Sequence, residues 1–396
     1  MTKNDNKELH SLEMDLFGDF MAVEPSELLP YNKFQSVLKR HNKETFKDLC
    51  DKEKESYIKE VSQIYLSVGV YPDKVFSTSG EVEEVEKCIA KKVPQSQDSA
   101  TTRFLQGASL CRHLFPNLRE VKYAGRGDNT LLRRFTDPHS LRKAISFCLR
   151  FRNDSFPCMP SSIRAGLQMI DGNSATNFKP MLAKSIYETY CPEGGQILDF
   201  AAGFGGRMLG ALSSDNNYIY TGIEPNTETF DNLENLGMVI KKVKPDVKYK
   251  LLREGSEVAE LPFEFYDFAF SSPPYFDLER YTNEPSQCYI QFPTIESWVQ
   301  GYVVPTIRNI YKSLKHGSFY AVNIADFKAR GELFKFVDRW IEESKSCGFE
   351  YIKCLPMKIQ NRRGDGFEDA KDYEKKEGVF LFKKTHRSNV IEEAGE

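Results

Sequence analysis

The chain has 396 residues, of which 40% are hydrophobic and 28% charged, as in ordinary folded globular proteins. This length allows two or three domains. No apolar run approaches the ~18 residues of a membrane span, and the first residues lack the apolar part of a secretion signal. We therefore expect a cytoplasmic protein without membrane association. Nine cysteines without a Cys-x-x-Cys pair, and six dispersed histidines, predict reduced thiols and no metal site.

The first part of the chain has helical patterns. In residues 1–75 apolar side chains recur at helical spacing, for example Tyr57, Val61, Ile64 and Tyr65. Residues 77–80 (STSG) are typical of a linker. Helical patterns continue beyond it. We predict a helical N-terminal region at 1–75, a basic helical region at 76–170 and a third domain at 171–390.

Positive charge is concentrated in the middle of the chain. The net charge is −3, yet residues 101–170 hold twelve Arg or Lys and four Asp or Glu, a local excess of +8. A concentrated basic segment is typical of a surface that binds nucleic-acid phosphates. The planar fork of arginine matches phosphate oxygens and guanine edges better than the ammonium of lysine does. A solvated helix face is the alternative. The candidates for nucleic-acid contact, one of them farther along, are Arg126, Arg133, Arg134, Arg142, Lys143 and Arg280.

From residue 171 onward, strand patterns alternate with helical ones. This alternation predicts an α/β domain with a mostly parallel sheet. The last two strands are expected to pair antiparallel around residues 361–366 (NRRGDG). The predicted strands begin near Gln196, Tyr218, Val247, Phe265, Ser318, Glu350 and Gly378.

A glycine-rich turn follows the first of these strands. Residues 196–207 read QILDFAAGFGGR, and a helical pattern follows. Glycines let a loop approach a ligand closely, and the next helix offers free N–H groups to a carboxylate. The spacing matches neither a P-loop nor the full dinucleotide fingerprint. The next strand ends in Glu224, which is well placed to accept hydrogen bonds from ribose hydroxyls.

A second motif lies about seventy residues downstream. Residues 271–281 read SSPPYFDLERY and follow an apolar run. Proline has no backbone N–H, so the two prolines end the hydrogen-bond ladder of the sheet. The carbonyls before and within the Pro-Pro step remain available as acceptors, directly before an aromatic ring. Such a site suits a planar group with an exocyclic amine, as a nucleobase has. A Pro-Pro turn with a surface tyrosine is the plainer alternative.

Together these motifs resemble the S-adenosylmethionine-dependent amino-methyltransferases of DNA. The resemblance is carried by Asp-x-x-x-Gly-x-Gly-Gly, then an acidic strand end, then Ser-Pro-Pro-Tyr. Residues 177–186 (NFKPMLAKSI) also resemble the family's Lys-Pro-x-x-Leu segment, and residues 311–319 (YKSLKHGSF) its approach to the fifth strand. The resemblance covers about residues 171–384. It implies a Rossmann-like class I methyltransferase fold with a mostly parallel seven-stranded sheet, and S-adenosylmethionine as cofactor.

The resemblance also implies roles for residues of the second motif. In the family, a flipped base places its amino nitrogen before the sulfonium methyl group. Ser272 and the carbonyl of Pro273 are expected to accept the amino hydrogens, Pro274 to complete the turn, and Tyr275 to stack on the base. No separate general base is required, because the proton can leave after methyl transfer.

A further set of residues is expected to hold the cofactor. Asp199 would receive its ammonium group directly or through water, Gly203 and Gly205 would admit its backbone, and Glu224 would hold the ribose. Ser256 stands where the family more often has an aspartate near the adenine. The full set is Phe178, Asp199, Ala201, Gly203, Gly205, Glu224 and Ser256.

Ser-Pro-Pro-Tyr favours cytosine N4 over adenine N6 as the methylated atom. Because little of the chain follows Asp326, we assign target recognition to residues 76–170. Restriction–modification with a partner endonuclease is compatible with this interpretation, and the oligomeric state is not indicated. An RNA amino-methyltransferase and a non-catalytic nucleic-acid-binding subunit remain as alternatives, whereas a protein-glutamine methyltransferase would require Asn in place of Ser272.

Overall fold

The computed structural model describes residues 27–28, 30–95, 97–123, 127, 129–171, 174–329, 332–357 and 377–385. In this part of the chain, no helix has both the length and the apolar character needed to cross a bilayer.

A seven-stranded sheet forms the centre of the molecule. Together with short strands elsewhere, the strands are β1 Glu27–Leu28, β2 Val75–Phe76, β3 Lys122–Tyr123, β4 Gly195–Asp199, β5 Tyr218–Ile223, β6 Lys248–Leu252, β7 Tyr266–Ser271, β8 Glu279–Arg280, β9 Leu314–Ile324, β10 Phe327–Ala329, β11 Glu332–Phe334, β12 Phe349–Pro356 and β13 Gly378–Lys384. The strand order in the central sheet is β12-β13-β9-β7-β4-β5-β6, and β13 runs antiparallel to both of its neighbours, β12 and β9. The other four pairings are parallel.

Helices cover both faces of this sheet and build the N-terminal part. A single π-turn at Val299–Val303 joins two of them, and short 3₁₀ turns lie at Asn32–Phe34 and Pro116–Glu120. The α-helices are Gln35–Leu38, Lys43–Lys47, Asp51–Val68, Thr78–Ala90, Ala108–Leu114, Leu131–Thr136, Pro138–Phe151, Pro160–Met169, Pro180–Tyr190, Gly206–Leu212, Thr227–Val243, Cys288–Gln291, Ile295–Trp298, Val304–Ser313 and Phe336–Ser346.

This is the Rossmann-like class I methyltransferase fold that the sequence predicted. The chain runs outward from β4 through β5 to β6, returns to β7 and β9, and inserts β13 between β9 and β12. All seven predicted strands are confirmed, as is the antiparallel pairing of the last two. The predicted connection at residues 361–366 lies outside the described residues.

The sheet is apolar on both faces because helices bury both of them. One face packs in a cluster that includes Met181, Leu209 and Phe268, and the other in a cluster that includes Trp298, Tyr320 and Trp340. The central strand β7, with sequence YDFAFS, contributes to both clusters. A near-continuous apolar run is what a doubly covered parallel strand requires.

The N-terminal part divides differently from the predicted boundaries at 75 and 170. Residues 31–71 and 131–170 share one apolar cluster, whereas residues 76–121 pack with the sheet. Lys184 connects the helix Thr78–Ala90 to the sheet unit, since its buried ammonium donates to the carbonyls of Cys88, Ile89 and Lys91 at 3.1, 3.1 and 2.9 Å. The helical unit is therefore built from two separated stretches, because amphipathic helices pair by apolar surface and not by chain order.

Candidate active site at the carboxyl ends of β4 and β7

The glycine loop leaves β4 and turns into the helix Gly206–Leu212. Gly203 and Gly205 have φ of 56° and 75°, in the left-handed region that favours glycine. At Gly205 a Cβ would lie 2.6 Å from Leu236 and 2.7 Å from Phe115, so packing also requires glycine there. A Cβ at Gly203 would lie 3.8 Å from the carbonyl oxygen of Ala201 and 3.9 Å from Arg207 Nη2, which are ordinary contacts, so here the backbone conformation and not packing favours glycine. The approach of a cofactor to Gly203 stays a prediction.

Asp199 lies beneath this loop rather than on its surface. Its side chain is fully buried and accepts from Arg207 Nε at 2.9 Å, Tyr220 OH at 2.7 Å and Ser271 Oγ at 2.7 Å. Arg207 also donates to the carbonyl of Ala201, which accepts from Ser271 Oγ at 3.2 Å as well. The predicted direct contact of Asp199 with a cofactor ammonium does not fit this geometry, since protein donors surround the carboxylate. Its role here is to hold the loop in shape.

Glu224 closes the loop from the end of β5. Its two oxygens accept from the backbone N–H groups of Gly203 at 3.0 Å and Asn226 at 2.9 Å. Burial raises the pKa of the Glu224 carboxyl to about 7, although those two N–H donors oppose the rise. Each carboxylate oxygen retains acceptor capacity, so a pair of ribose hydroxyls remains a chemically suitable partner.

The segment before the helix Pro180–Tyr190 covers the other side of the glycine loop. Asn177 Nδ2 donates to the carbonyl of Phe204 at 2.6 Å, and a Cβ at Gly206 would lie 2.0 Å from the carbonyl oxygen of Phe178. The Phe178 ring packs edge-on against Phe270, with ring centroids 5.2 Å apart. The structure thus places Phe178 beside the loop, and its packing over the methionine part of a cofactor stays a prediction.

The region after β6 holds a candidate that the sequence did not reveal. Ser256, predicted to lie near the adenine, is buried with its hydroxyl 2.9 Å from Thr306 Oγ1. The next residue, Glu257, has a buried Oε2 without a hydrogen-bond partner among the described residues. Burial also raises the pKa of Glu257. A buried oxygen without a donor marks Glu257 as the better candidate to receive an amino group.

The Ser-Pro-Pro-Tyr motif begins where β7 ends, beside the glycine loop. Ser272 is half-buried, and its Oγ donates to the backbone oxygen and to Oδ1 of Asn323, each at 3.3 Å. Asn323 is itself buried near the end of β9, and its amide donates to the carbonyl of Gly378 at 3.0 Å. With its proton directed to Asn323, Ser272 Oγ keeps lone pairs free to accept from another group. Asn323 was not predicted from sequence, where its signal is a polar residue within the apolar stretch 319–324 (FYAVNI) of β9.

Tyr275 and Phe276 complete the turn. The ring of Tyr275 packs edge-on against Phe327 and Phe336 at 5.9 and 5.7 Å, and its hydroxyl donates to the carbonyl of Asn323 at 3.4 Å. Phe276 has φ of 51°, uncommon for a residue other than glycine, and its ring is buried against Trp298. Strain of this kind costs about 1–3 kcal/mol and is typical of functional turns.

Two acidic side chains next to Tyr275 were also missed. Glu279 accepts from Tyr281 OH at 2.6 Å, and burial raises its pKa, with the nearby Glu377 adding to the rise. Burial likewise raises the pKa of Glu377. Both carboxyls influence Tyr275 electrostatically. Glu279 belongs to the motif segment 271–281 itself, whereas Glu377 lies about a hundred positions later and only folding brings it to the motif.

The predicted nucleic-acid contacts fall into three groups. Arg134 is wrong as a surface contact: it is 1% exposed and its Nη1 donates to the carbonyls of Leu167 and Ile170 at 2.9 and 3.0 Å. Its guanidinium joins two helices because those carbonyls at the end of the helix Pro160–Met169 need donors. Arg126 lies outside the described residues. Arg133, Arg142, Lys143 and Arg280 are exposed, although Lys143 pairs with Asp171 and Arg280 with Asp277.

A short pairing brings the basic region to the motif. Lys122 and Tyr123 of β3 lie opposite Arg280 and Glu279 of β8 in an antiparallel pair. The chain between Lys122 and the helix Leu131–Thr136 therefore starts at the rim of the Ser-Pro-Pro-Tyr site. Within the described ranges, no group of three or more His, Cys, Asp and Glu side chains is placed to hold a metal ion.

No protein-family model and no curated protein matches the chain. Among solved structures, it is similar to a SAM-dependent methyltransferase from Methanosarcina mazei, at 17% identity and a TM-score of 0.34 over 51% of this chain and 98% of that one. A TehB-like SAM-dependent methyltransferase from Corynebacterium glutamicum matches at 16% identity and 0.34, over 57% and 96%. A 1,6-didemethyltoxoflavin-N1-methyltransferase from Burkholderia thailandensis, solved with S-adenosylhomocysteine, matches at 11% and 0.33, over 52% and 77%. Likenesses this weak carry no argument about this chain's substrate.

Proposed function

We propose that the protein transfers the methyl group of S-adenosylmethionine to an exocyclic amino group of a flipped base in DNA, with cytosine N4 favoured over adenine N6. The observation that carries the proposal is the meeting of two motifs at one edge of the sheet. β4 and β7 pair in parallel, so the glycine loop and Ser-Pro-Pro-Tyr leave the sheet side by side. Cofactor and base sites of an amino-methyltransferase must adjoin in this way for direct methyl transfer.

The residues around the loop fit S-adenosylmethionine. Glu224 can accept from the ribose, Gly203 has the left-handed backbone of a tight loop beside it, and Glu257 offers a buried acceptor to the adenine amino group. The cofactor supplies an electrophilic methyl group on sulfur. The chain's own residues need only position the acceptor amine and exclude water.

The residues around Ser272 support the assignment of the acceptor. An exocyclic amine is a poor nucleophile because its lone pair is delocalised into the ring. Ser272 Oγ and the carbonyl of Pro273 can both accept its hydrogens, which favours a tetrahedral nitrogen with an available lone pair. Asn323 orients Ser272 by accepting hydrogen bonds from its Oγ at 3.3 Å. Most of the acceleration then comes from placement and preorganised dipoles.

DNA as the polymer rests on the resemblance of the motifs and on exposed positive charge at Arg133, Arg142 and Arg280. The burial of Arg134 removes one of the predicted contacts, so target reading by residues 76–170 rests on the remaining side chains. An RNA amino-methyltransferase shares the same pocket chemistry. A non-catalytic subunit would retain the fold without transfer.

Mass spectrometry of nucleosides from DNA and RNA of expressing cells tests the proposal. We expect N4-methylcytosine in DNA with the wild type, and none with Ser272→Ala. Ser161→Ala, at an exposed serine outside the site, serves as the matched control and should methylate normally. N6-methyladenine would correct the base, and a mark in RNA alone would favour the RNA alternative. No mark in either polymer, from protein that binds the cofactor, would favour the non-catalytic subunit.

A further inference from the structure

Three arginines converge on one aspartate between the helical unit and the sheet. The side chain of Asp73, 3% exposed, accepts from Arg112 Nε and Arg119 Nε at 3.1 Å each, and Arg164 Nε lies 3.5 Å from it. The arginines come from three different elements: the helix Ala108–Leu114, the turn Pro116–Glu120 and the helix Pro160–Met169. None of them was singled out by sequence.

The charges of this cluster do not balance. Three guanidinium groups share one carboxylate, and each arginine side chain is only 22% exposed. Burial and the nearby Arg112 lower the pKa of Arg164, yet arginine stays protonated in proteins. The described residues lining the space contribute no second carboxylate: Tyr71, Asp73, Arg112, Phe115, Leu118, Arg119, Leu131, Arg164 and Gln168. Partly buried positive charge in excess is costly unless an anion accompanies it.

A second observation at the same place points to a ligand. Tyr71 is 5% exposed, and its hydroxyl has no hydrogen-bond partner among the described residues. The Arg119 guanidinium lies over the Tyr71 ring, 5.0 Å from its centroid. A buried phenol without an acceptor is uncommon and calls for a missing partner. An anion oxygen satisfies both the phenol and the guanidinium groups.

The space beside these groups limits how an anion can bind. The recess has about 260 Å³ of empty volume, part of it open to solvent. An anion at its mouth can direct an oxygen atom toward the guanidinium groups and the Tyr71 hydroxyl. A tetrahedral anion with several acceptor oxygens suits this shape and the planar fork of arginine.

We propose that Arg112, Arg119, Arg164 and the hydroxyl of Tyr71 form a site for a phosphate group, either inorganic phosphate or a phosphate of a nucleic-acid backbone. The site joins the helical unit, through Tyr71 and Leu131, to the sheet unit, through Phe115 and Leu118. It does not depend on methyl transfer, so the two proposals can fail separately.

The test uses the full chain and two mild variants. Tyr71→Phe removes only the hydroxyl, and Arg164→Gln removes the arginine whose Nε lies farthest from the Asp73 carboxylate, at 3.5 Å. Their matched controls are Tyr190→Phe, which removes another buried phenol hydroxyl without a partner among the described residues, and Arg150→Gln, which removes an exposed arginine. Calorimetric and thermal-shift titrations with sodium phosphate, at constant ionic strength, measure binding.

We expect the wild type and both controls to bind phosphate, and each site variant to bind about tenfold more weakly, as for the loss of a hydrogen bond to a charged group. A second arm measures a 20-bp DNA duplex. Weaker DNA binding by Tyr71→Phe, with competition by phosphate, identifies the backbone as the source, whereas unchanged DNA binding identifies the free anion. No phosphate binding by the wild type, or equal binding by site variants and controls, would overturn the site and leave the cluster a structural tie.

Discussion

Ser271 Oγ donates to Asp199 Oδ1 at 2.7 Å, with both side chains fully buried. This bond joins the carboxyl end of the strand that carries Ser-Pro-Pro-Tyr to the end of the strand that opens the glycine loop. The two halves of the proposed site are thus joined by Ser271, which the sequence predicted neither as a catalytic nor as a cofactor-binding residue. Ser271 also donates to the carbonyl of Ala201 at 3.2 Å, so one hydroxyl bridges the loop at two points.

We expect Ser271→Ala to lower the free energy of unfolding by about 1–3 kcal/mol, because a buried carboxylate oxygen loses a donor. Asp199→Ala should cost more, about 3–5 kcal/mol, since it leaves the buried Arg207 unpaired. Chemical denaturation measures both values, with Ser161→Ala as the neutral control. Asp199→Ala with wild-type stability and weakened cofactor binding would instead restore the predicted direct contact with the cofactor.

The binding of S-adenosylhomocysteine should tighten as pH rises from 6 to 8. Burial raises the pKa of Glu224 to about 7, and the ionised carboxylate accepts from ribose hydroxyls better than the protonated acid. If binding requires the ionised form, linkage gives a change of up to about tenfold over this interval. Calorimetry on the wild type and on Glu224→Gln separates the effect, since the variant should bind weakly at every pH. A variant with the wild-type pH dependence would remove Glu224 from the explanation.

The raised pKa of Glu224 has the opposite consequence for the stability of the free protein, which should fall as pH rises. A carboxyl whose pKa is raised in the folded state is fully stabilising only below its unfolded pKa, and that contribution is lost as pH rises through about 7. The free energy of unfolding of Glu224→Gln should therefore change less with pH than that of the wild type between pH 5 and 7. Denaturation at several pH values measures this difference.

Tyr275→Ala should weaken methylation through loss of stacking, by about 1–3 kcal/mol if the ring supports a base. Tyr275→Phe keeps the ring and loses only the long bond to Asn323, measured at 3.4 Å, so it should retain most activity. Steady-state kinetics on a DNA substrate separates KM from kcat for both variants. Equal activity of Tyr275→Ala and the wild type would show that the ring packs against Phe327 and Phe336 and does no more.

Glu257→Gln should weaken cofactor binding, because the amide replaces a carboxylate oxygen that has no donor among the described residues. A hydrogen bond to a charged group contributes about 1.5–3 kcal/mol, or roughly tenfold or more in Kd. Titration with S-adenosylhomocysteine tests this, and Glu254→Gln, three residues earlier, serves as the control. Tighter binding or no change would return the adenine contact to Ser256 or to the backbone.

Arg133 and Arg134 are adjacent, yet their substitutions should have different effects. Arg134→Gln should cost about 1–3 kcal/mol of stability, because carbonyls of Leu167 and Ile170 lose their donor. Arg133→Gln should stay within about 0.5 kcal/mol of the wild type. If Arg133 contacts a phosphate, its loss should weaken DNA binding uniformly across sequences and reduce the salt slope by about 1. Unaltered salt dependence would exclude that contact.

The local parts of the site were predictable from sequence because they depend on neighbouring residues. Short apolar runs between helical patterns predicted the seven strands, glycines at 203 and 205 occupy left-handed backbone as the loop requires, and two prolines follow the end of β7. The spacing of these signals along the chain was enough to predict the α/β fold. Glu224 follows its strand directly, and its place beside Gly203 follows from parallel pairing.

Partnerships over long separations were decided only by the tertiary structure. Charge counting could not distinguish Arg133 from Arg134, because burial depends on helices about thirty residues away. It also could not show that Arg112, Arg119 and Arg164 meet at Asp73, or that Asn323 accepts a hydrogen bond from Ser272 Oγ. The chemical type of each side chain is known from the sequence, but its exposure to solvent and its partners depend on which surfaces pack together. Burial of apolar area drives that packing, and polar groups then take the partners it brings within reach.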